Sequence, residues 1–244
     1  MIFAALTFWL LAITFTSFGV QHLWAGTTKS RLVTLLLAPG LIIHEMSHVL
    51  ACLLTGATVK EASLFGGGAA GKVIHTKPAV PIVGQALISL APLIGCGACL
   101  WLSAAGVLRP ASRHFTFQTQ LPAELLKPDA FAGYLVEVLR ETFNAVTSAD
   151  FGDWRTYLFL YLAGVLVVHM SPSRRDLRSG VASLIAVGLL LFALGQIEPA
   201  WLMAPVRSAW PFLTLCLALA LFVLLMSLLV IGLIRLTRLM LRPG

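Results

Sequence analysis

The sequence predicts an all-α, polytopic membrane protein with about six transmembrane helices, formed by a single domain over residues 1–244, and a small β element at the membrane surface. Composition is the first indication, since 59% of the 244 residues are hydrophobic and only 11% are charged. The mean hydropathy is +0.92. A soluble domain carries about 25% charged residues. Because each span needs about 20 apolar residues, six spans and their connections nearly use up the chain.

Apolar runs of spanning length recur along the chain and place the predicted helices. They cover residues 2–23, 32–55, 79–107, 155–171, 180–197 and 210–234. The first run lacks the basic start and small-residue cleavage site of a secretory signal, so we expect a retained span. The fourth run is short and the fifth follows it closely, which favours a tight helical hairpin. We expect the C-terminal helices over about 180–240.

Two connections are long enough to form structure of their own. The first, ATVKEASLFGGGAAGKVIHTKP, has short β-favouring segments on both sides of a glycine cluster and is predicted to form a hairpin or two strands at the membrane surface. The second covers residues 108–154. Its apolar residues recur at helical spacing from Phe131 to Val146, which indicates an amphipathic helix on the membrane or over the bundle.

The basic residues indicate the orientation of the chain and argue against nucleic acid as a partner. The net charge is +7, but lysines and arginines are spread over short loops and the C-terminal end rather than forming one stripe. With a cytoplasmic N-terminus, nine of them fall in short loops on the cytoplasmic side and three on the other side. We therefore expect a multi-pass protein of the bacterial cytoplasmic membrane, in contact with the lipid bilayer, with its N-terminus inside.

The motif His44-Glu45-Met46-Ser47-His48 in the second predicted span is the strongest functional signal. Residues four apart on a helix share a face, so His44 and His48 can bind one zinc ion while Glu45 reaches its open coordination position. The glutamate can then take a proton from water and pass it to a leaving amine. A random arrangement gives this pattern in roughly four chains per thousand. Ionisable groups inside a span are rare and usually functional, so the motif predicts a zinc metalloprotease.

Catalytic zinc usually has three protein ligands, so one more ligand is expected from elsewhere in the chain. We favour Asp176, because the fourth predicted span returns to the side of the membrane on which His48 lies and this aspartate follows directly. His169, about two turns deeper, is the reserve choice. The remaining candidates are His22, His75 and His114. Pairing of Asp176 with the neighbouring arginines is the alternative explanation for that residue.

Together these features resemble the site-2 protease family of intramembrane zinc metalloproteases. The matching segments are HEMSH, the β element GATVKEASLFGGGAAGKV, the proline-bearing ALISLAPLIG and an aspartate after a later span, which cover about residues 32–180. The resemblance implies a three-helix metalloprotease core from the second, third and fourth spans. It also implies His44, His48 and Asp176 as zinc ligands and Glu45 as general base. The segment SPSRRDLRSG departs from the Asn-Pro-x-x-Asp-Gly pattern of many members.

The resemblance gives the β element a role in binding a membrane-protein substrate. An extended substrate segment can add to an exposed strand edge, which unwinds its helix for cleavage. We predict this edge at residues 58–65, with Thr58, Val59, Ser63 and Leu64 as the candidate contacts. A lipid-facing loop without a special role is the alternative.

The sequence supports two other motifs and two other functions less well. GGGAAGKV lacks the Ser or Thr of a phosphate-binding loop, and the mid-span pair Cys96 and Cys99 has no second pair beside it, so packing explains it better. An idle zinc-binding or scaffold protein is the main rival, but a purely structural zinc site needs no Glu45. A small-solute transporter is less favoured, since the sequence shows no internal repeat.

Overall fold

The chain is mostly helical and carries one small sheet. The computed structural model describes residues 2–24, 31–63, 72–112, 128–170, 182, 185–190, 192–193 and 200–240. The elements in chain order are α1 (Ile2–Trp24), α2 (Arg31–Leu54), β1 (Val59–Ser63), β2 (Lys72–His75), α3 (Pro81–Ala105), α4 (Arg109–Ser112), α5 (Pro128–Thr147), α6 (Trp154–His169) and α7 (Ala200–Met240). Residues 185–190 are also helical. A mainly helical fold with a small β element is therefore confirmed.

Three helical stretches of the described chain are long and apolar enough to cross a membrane. They are Thr34–Leu54, Pro81–Ala105 and Arg207–Leu233. The apolar parts of α1 and α6, Leu6–Val20 and Trp154–His169, are shorter. The 16 residues of α6 extend about 24 Å, less than the roughly 30 Å of a hydrocarbon core. The predicted number of six spans is thus not reached within the described residues, and the run at 180–197 falls largely outside them.

α2, α3 and α6 pack against one another in pairs, and they form the part of the fold that holds the candidate site. α1 packs along α7 on the other side of the bundle. Both helices contact α6, and α7 also contacts α5. This arrangement places three of the predicted span regions, the second, third and fourth, next to one another. In the described part of the chain, α2, α3 and α6 therefore lie in mutual contact.

The amphipathic helix predicted within residues 108–154 is present as α5, and it lies over the bundle. Phe131 and Tyr134 of α5 contact Trp9 of α1 with ring centroids 6.0 and 5.2 Å apart. Trp9 in turn lies 5.2 Å from Trp210 of α7, and neither tryptophan has exposed surface. Aromatic pairs at this spacing add stability beyond the area they bury. α5 is thus held where α1 and α7 meet.

The predicted β element is a two-stranded antiparallel sheet. Its register pairs Val59 with His75 and Ser63 with Lys72, and an irregularity lies between Val59 and Glu61. Residues 64–71, which include the glycine cluster, lie outside the described residues. A pair of antiparallel strands is therefore confirmed, with the bulge at the end nearer α2.

Gly56 ends α2 and turns the chain toward the sheet. Its φ of +71° lies in the left-handed region that favours glycine. The N–H of Gly56 donates to the Leu53 carbonyl at 3.4 Å, and the N–H of Ala57 donates to the Cys52 carbonyl at 2.9 Å. These two bonds are the pattern of a Schellman cap, which satisfies carbonyls left open at the helix end. The cap fixes the sheet two turns beyond His48.

Candidate metal centre

The motif histidines and glutamate lie on the buried side of α2. His44, Glu45 and His48 expose 7, 6 and 6% of their surface. Large apolar side chains with at least half of their surface exposed occupy the opposite side, at Met46, Leu50, Leu53 and Leu54. A helix on the surface of a soluble protein has the reverse distribution. An ionisable interior and an apolar exterior suit a helix surrounded by lipid, where such interior groups are usually functional.

α3 approaches α2 closely beside the motif. Gly95 of α3 lies against Ser47, and a Cβ at this glycine would overlap the Ser47 Oγ and lie 2.8 Å from its Cβ. Ser47 Oγ donates to the Ile43 carbonyl at 2.5 Å, so it adds no free polar group to the interface. Small residues allow two helix backbones to approach in this way, as is common between membrane helices. The contact holds α3 at the level of the motif.

α6 approaches α2 at Gly40, one turn before His44. A Cβ at Gly40 would lie 2.6 Å from His169 Nδ1 and 2.6 Å from the Val165 carbonyl oxygen. Only a glycine leaves room for the last turn of α6 at this point. The motif therefore sits between two close helix contacts, one with α3 and one with α6, and the C-terminal end of α6 reaches the level of His44.

The end of α6 supplies the hydrogen-bond partner of His44. His44 Nδ1 lies 2.6 Å from the backbone carbonyl oxygen of His169, the final residue of α6. Carbonyls in the last turn of a helix have no intrahelical donor, so this oxygen is available to a neighbour. A carbonyl oxygen can only accept, and Nδ1 must therefore carry the proton. Nε2 of His44 is then the unprotonated ring nitrogen, the form that can bind a metal.

His48 is fixed in the same way by α3. Its Nδ1 lies 3.0 Å from the backbone carbonyl oxygen of Ile88, and both atoms are buried. Nδ1 again donates, so Nε2 of His48 is also the unprotonated ring nitrogen. Metal-binding histidines usually donate the other ring N–H to a carbonyl or carboxylate, which fixes the tautomer and the ring orientation. Both motif histidines have this arrangement.

The spacing of the two rings fits a single zinc ion. Their centroids lie 5.0 Å apart, with the planes at 74°. Two imidazoles bound through Nε2 to one tetrahedral zinc ion, with Zn–N of about 2.0–2.1 Å, have centroids about 5 Å apart. Two neutral imidazoles and a carboxylate are also a donor set that zinc accepts in catalytic sites. The two histidines therefore fit as two of the three protein ligands of a zinc ion.

A third ligand is not among the described residues. These residues contain no group of three or more His, Cys, Asp or Glu that could hold a metal ion. The reserve candidate His169 contributes its carbonyl to His44, while its ring packs against Gly40 and its Nδ1 donates to the Val165 carbonyl at 2.9 Å. The favoured candidate Asp176 lies outside the described residues, as does His114.

The two remaining histidine candidates lie elsewhere. His22 is near the end of α1 and stacks on Phe18, with ring centroids 6.2 Å apart. His75 ends β2, and its Nδ1 donates to the Thr76 carbonyl at 2.7 Å. Neither forms a ligand group with the motif histidines in the described part of the chain.

The first residue of the predicted strand edge, Thr58, bonds to Thr76. The backbone N–H of Thr58 donates to Thr76 Oγ1 at 2.9 Å, and its carbonyl accepts from the Thr76 N–H at 3.0 Å. Both backbone groups of Thr58 are therefore already bonded on the β2 side. Val59 and Ser63 belong to β1, whereas Leu64 lies outside the described residues.

Sequence reasoning found the motif but missed the groups that orient it. The carbonyls of Ile88 and His169 are backbone atoms, which carry no residue-type signal. Gly40 and Gly95 are also essential to the geometry, and the only hint of them was the presence of small residues in apolar runs.

Comparison with models of protein families, with curated proteins and with solved structures finds no match to this chain.

Proposed function

We propose that this protein is an intramembrane zinc metalloprotease of the site-2 protease type, which hydrolyses peptide bonds of membrane-protein substrates within or beside the bilayer. The observation that carries the proposal is the pair of hydrogen bonds from His44 and His48 to backbone carbonyls. They make Nε2 the unprotonated nitrogen on two neighbouring, buried rings, whose centroid spacing suits one zinc ion.

Asp176 is the proposed third ligand. α6 ends beside His44, and the chain leaves it at Met170. Six further residues reach Asp176, and a segment of that length can extend about 20 Å. The aspartate is therefore within reach of the motif by chain length alone. When bound, zinc acts as a Lewis acid that polarises water and the scissile carbonyl.

Glu45 is the proposed general base and acid. It follows His44 directly and is 6% exposed, so its carboxylate is held in the same buried region as the two histidines. A carboxylate there can accept a proton from the attacking water and deliver it to the amine of the departing peptide. Burial also excludes bulk water, which strengthens the interactions made there.

The membrane setting and the sheet indicate the class of substrate. Three described helices can cross a membrane, and the outer side of α2 is apolar. A protein substrate would reach the site from the bilayer, with Val59 and Ser63 of β1 as the contacts for its unwound segment. We further propose six spans, a bacterial cytoplasmic membrane location, and an N-terminus and active site that face the cytoplasm, as the distribution of basic residues favours.

Substitution of the general base tests this function. The purified protein in detergent is incubated with a set of synthetic peptides that carry single apolar spans, and products are identified by mass spectrometry. We expect Glu45→Gln to keep its zinc and to lose at least about a hundredfold in cleavage rate, which is the usual contribution of general base catalysis. Glu137→Gln, on the partly exposed side of α5 and away from β1, is the matched control and should cleave like wild type. Wild-type cleavage by Glu45→Gln would contradict the proposal.

A further inference from the structure

α3 has a proline inside the helix, close to the carbonyl that accepts from His48. Pro92 lies four residues after Ile88, within the helix Pro81–Ala105. Proline has no backbone N–H, so it cannot donate to the carbonyl four residues before it, and its ring also pushes that carbonyl out of line. The carbonyl in question is that of Ile88, the acceptor of His48 Nδ1 at 3.0 Å.

We propose that Pro92 is a positioning residue for the metal centre: by removing the helical donor to the Ile88 carbonyl, it keeps that oxygen for His48. The inference rests on the proposed zinc site. The bond to Ile88 holds His48 as the Nδ1–H tautomer and leaves Nε2 to the metal. With another residue at position 92, the restored N–H competes for the same oxygen and draws it back into the helix.

Each motif histidine then donates to a backbone carbonyl that has no intrahelical donor, for a different reason in each case. His44 bonds to the carbonyl of His169, which lacks a helical donor because α6 ends there. His48 faces the middle of α3, where every carbonyl normally has an intrahelical donor. Ile88 is also 1% exposed, so water does not replace a missing donor at this point. An interior proline is the means by which a continuous helix can offer a backbone acceptor there.

The tautomer of His48 tests the inference without metal. The zinc-free protein, labelled with ¹⁵N histidine, is examined by NMR above the imidazole pKa, and His48→Gln assigns the His48 signals. We expect the Nδ1–H tautomer in wild type and a shift toward Nε2–H in Pro92→Ala and in Pro92→Gly, which also restores the N–H. Zinc affinity should fall about ten- to a hundredfold in both. The melting temperature of Pro92→Ala should not fall, because the helix gains a hydrogen bond.

Pro39→Ala is the matched control, since Pro39 lies inside α2 and neither motif histidine donates Nδ1 to the carbonyl four residues before it. It should leave the His48 tautomer unchanged. An Nε2–H tautomer of His48 in wild type would overturn the inference, as would an unchanged tautomer and zinc affinity in both Pro92 variants. If Pro92→Ala lost zinc binding and melted at a lower temperature, and Pro39→Ala did the same, the role of Pro92 would be merely structural. That result would also overturn the inference. Because the tautomer is read without zinc, failure of the proposed function does not obscure the result.

Discussion

His44 and His48 show what a residue pattern can and cannot predict. Their spacing on one helix face follows from the sequence alone, and the structure places both rings together and buried. Their acceptors, the carbonyls of His169 and Ile88, lie 125 and 40 residues away in the chain. No local pattern indicates such partners, because they depend on how α3 and α6 pack against α2.

Gly56 is a position at which an added methyl group should strain the backbone without a steric clash. At φ +71° a Cβ is strained by about 1–2 kcal/mol, whereas the nearest atom, the Ala79 Cβ, is 3.4 Å away and leaves room for it. We therefore expect Gly56→Ala to lower the free energy of unfolding by about that amount, through the backbone alone. Thermal unfolding in detergent measures this.

Gly133 provides the comparison for that prediction. It lies inside α5, and a Cβ there meets nothing within 4 Å. Alanine is the better helix former by roughly 0.5–1 kcal/mol, so Gly133→Ala should raise the melting temperature slightly. Equal effects of the two substitutions would argue against a left-handed cap at the end of α2.

At the scale of elements, the contact between α2 and α3 depends on Gly95. A Cβ at this position overlaps Ser47, so Gly95→Ala must push the helices apart. We expect a loss of about 1–3 kcal/mol in unfolding free energy, the usual cost of overpacking. The His48 bond to Ile88 should lengthen as well, because it crosses the same interface. Unfolding and zinc affinity, measured on the same preparation, report both effects.

A second substitution separates this contact from a general loss of packing. Ser47→Gly removes both side-chain atoms that the new methyl group meets, and it should restore much of the stability of Gly95→Ala. Gly164→Ala in α6 is the matched control, because a Cβ there has nothing within 4 Å. If Ser47→Gly gave no rescue, or Gly164→Ala were equally damaging, the close approach of α2 and α3 would not be the cause.

The elements with a strong local signal were predicted well. The helix α5 follows from apolar residues at helical spacing, and the two strands follow from β-favouring segments around glycines. The number of spans was harder to predict, because hydropathy marks apolar runs but not their helical length. The fourth apolar run was counted as a span although it is short, and it forms a helix of only 16 residues, α6.

At the scale of the whole molecule, three helices from distant parts of the sequence enclose one buried polar region. α2 supplies the ionisable side chains, while α3 and α6 supply backbone acceptors and close contacts. The rest of the described bundle, built on Trp9 and Trp210, supports this core from the other side. The family resemblance implied that these three regions form one core, whereas their contacts at Gly40 and Gly95 are evident only from the fold.

The central claim is that His44 and His48 hold one zinc ion, and metal content tests it most directly. The detergent-purified full chain is loaded with zinc, freed of excess and measured by mass spectrometry, beside His44→Ala and Asp176→Ala. We predict about one zinc per wild-type chain, almost none in His44→Ala and a large loss in Asp176→Ala, because catalytic zinc usually needs three protein ligands. Wild-type protein without zinc, or with the same zinc content as His44→Ala, would contradict the account.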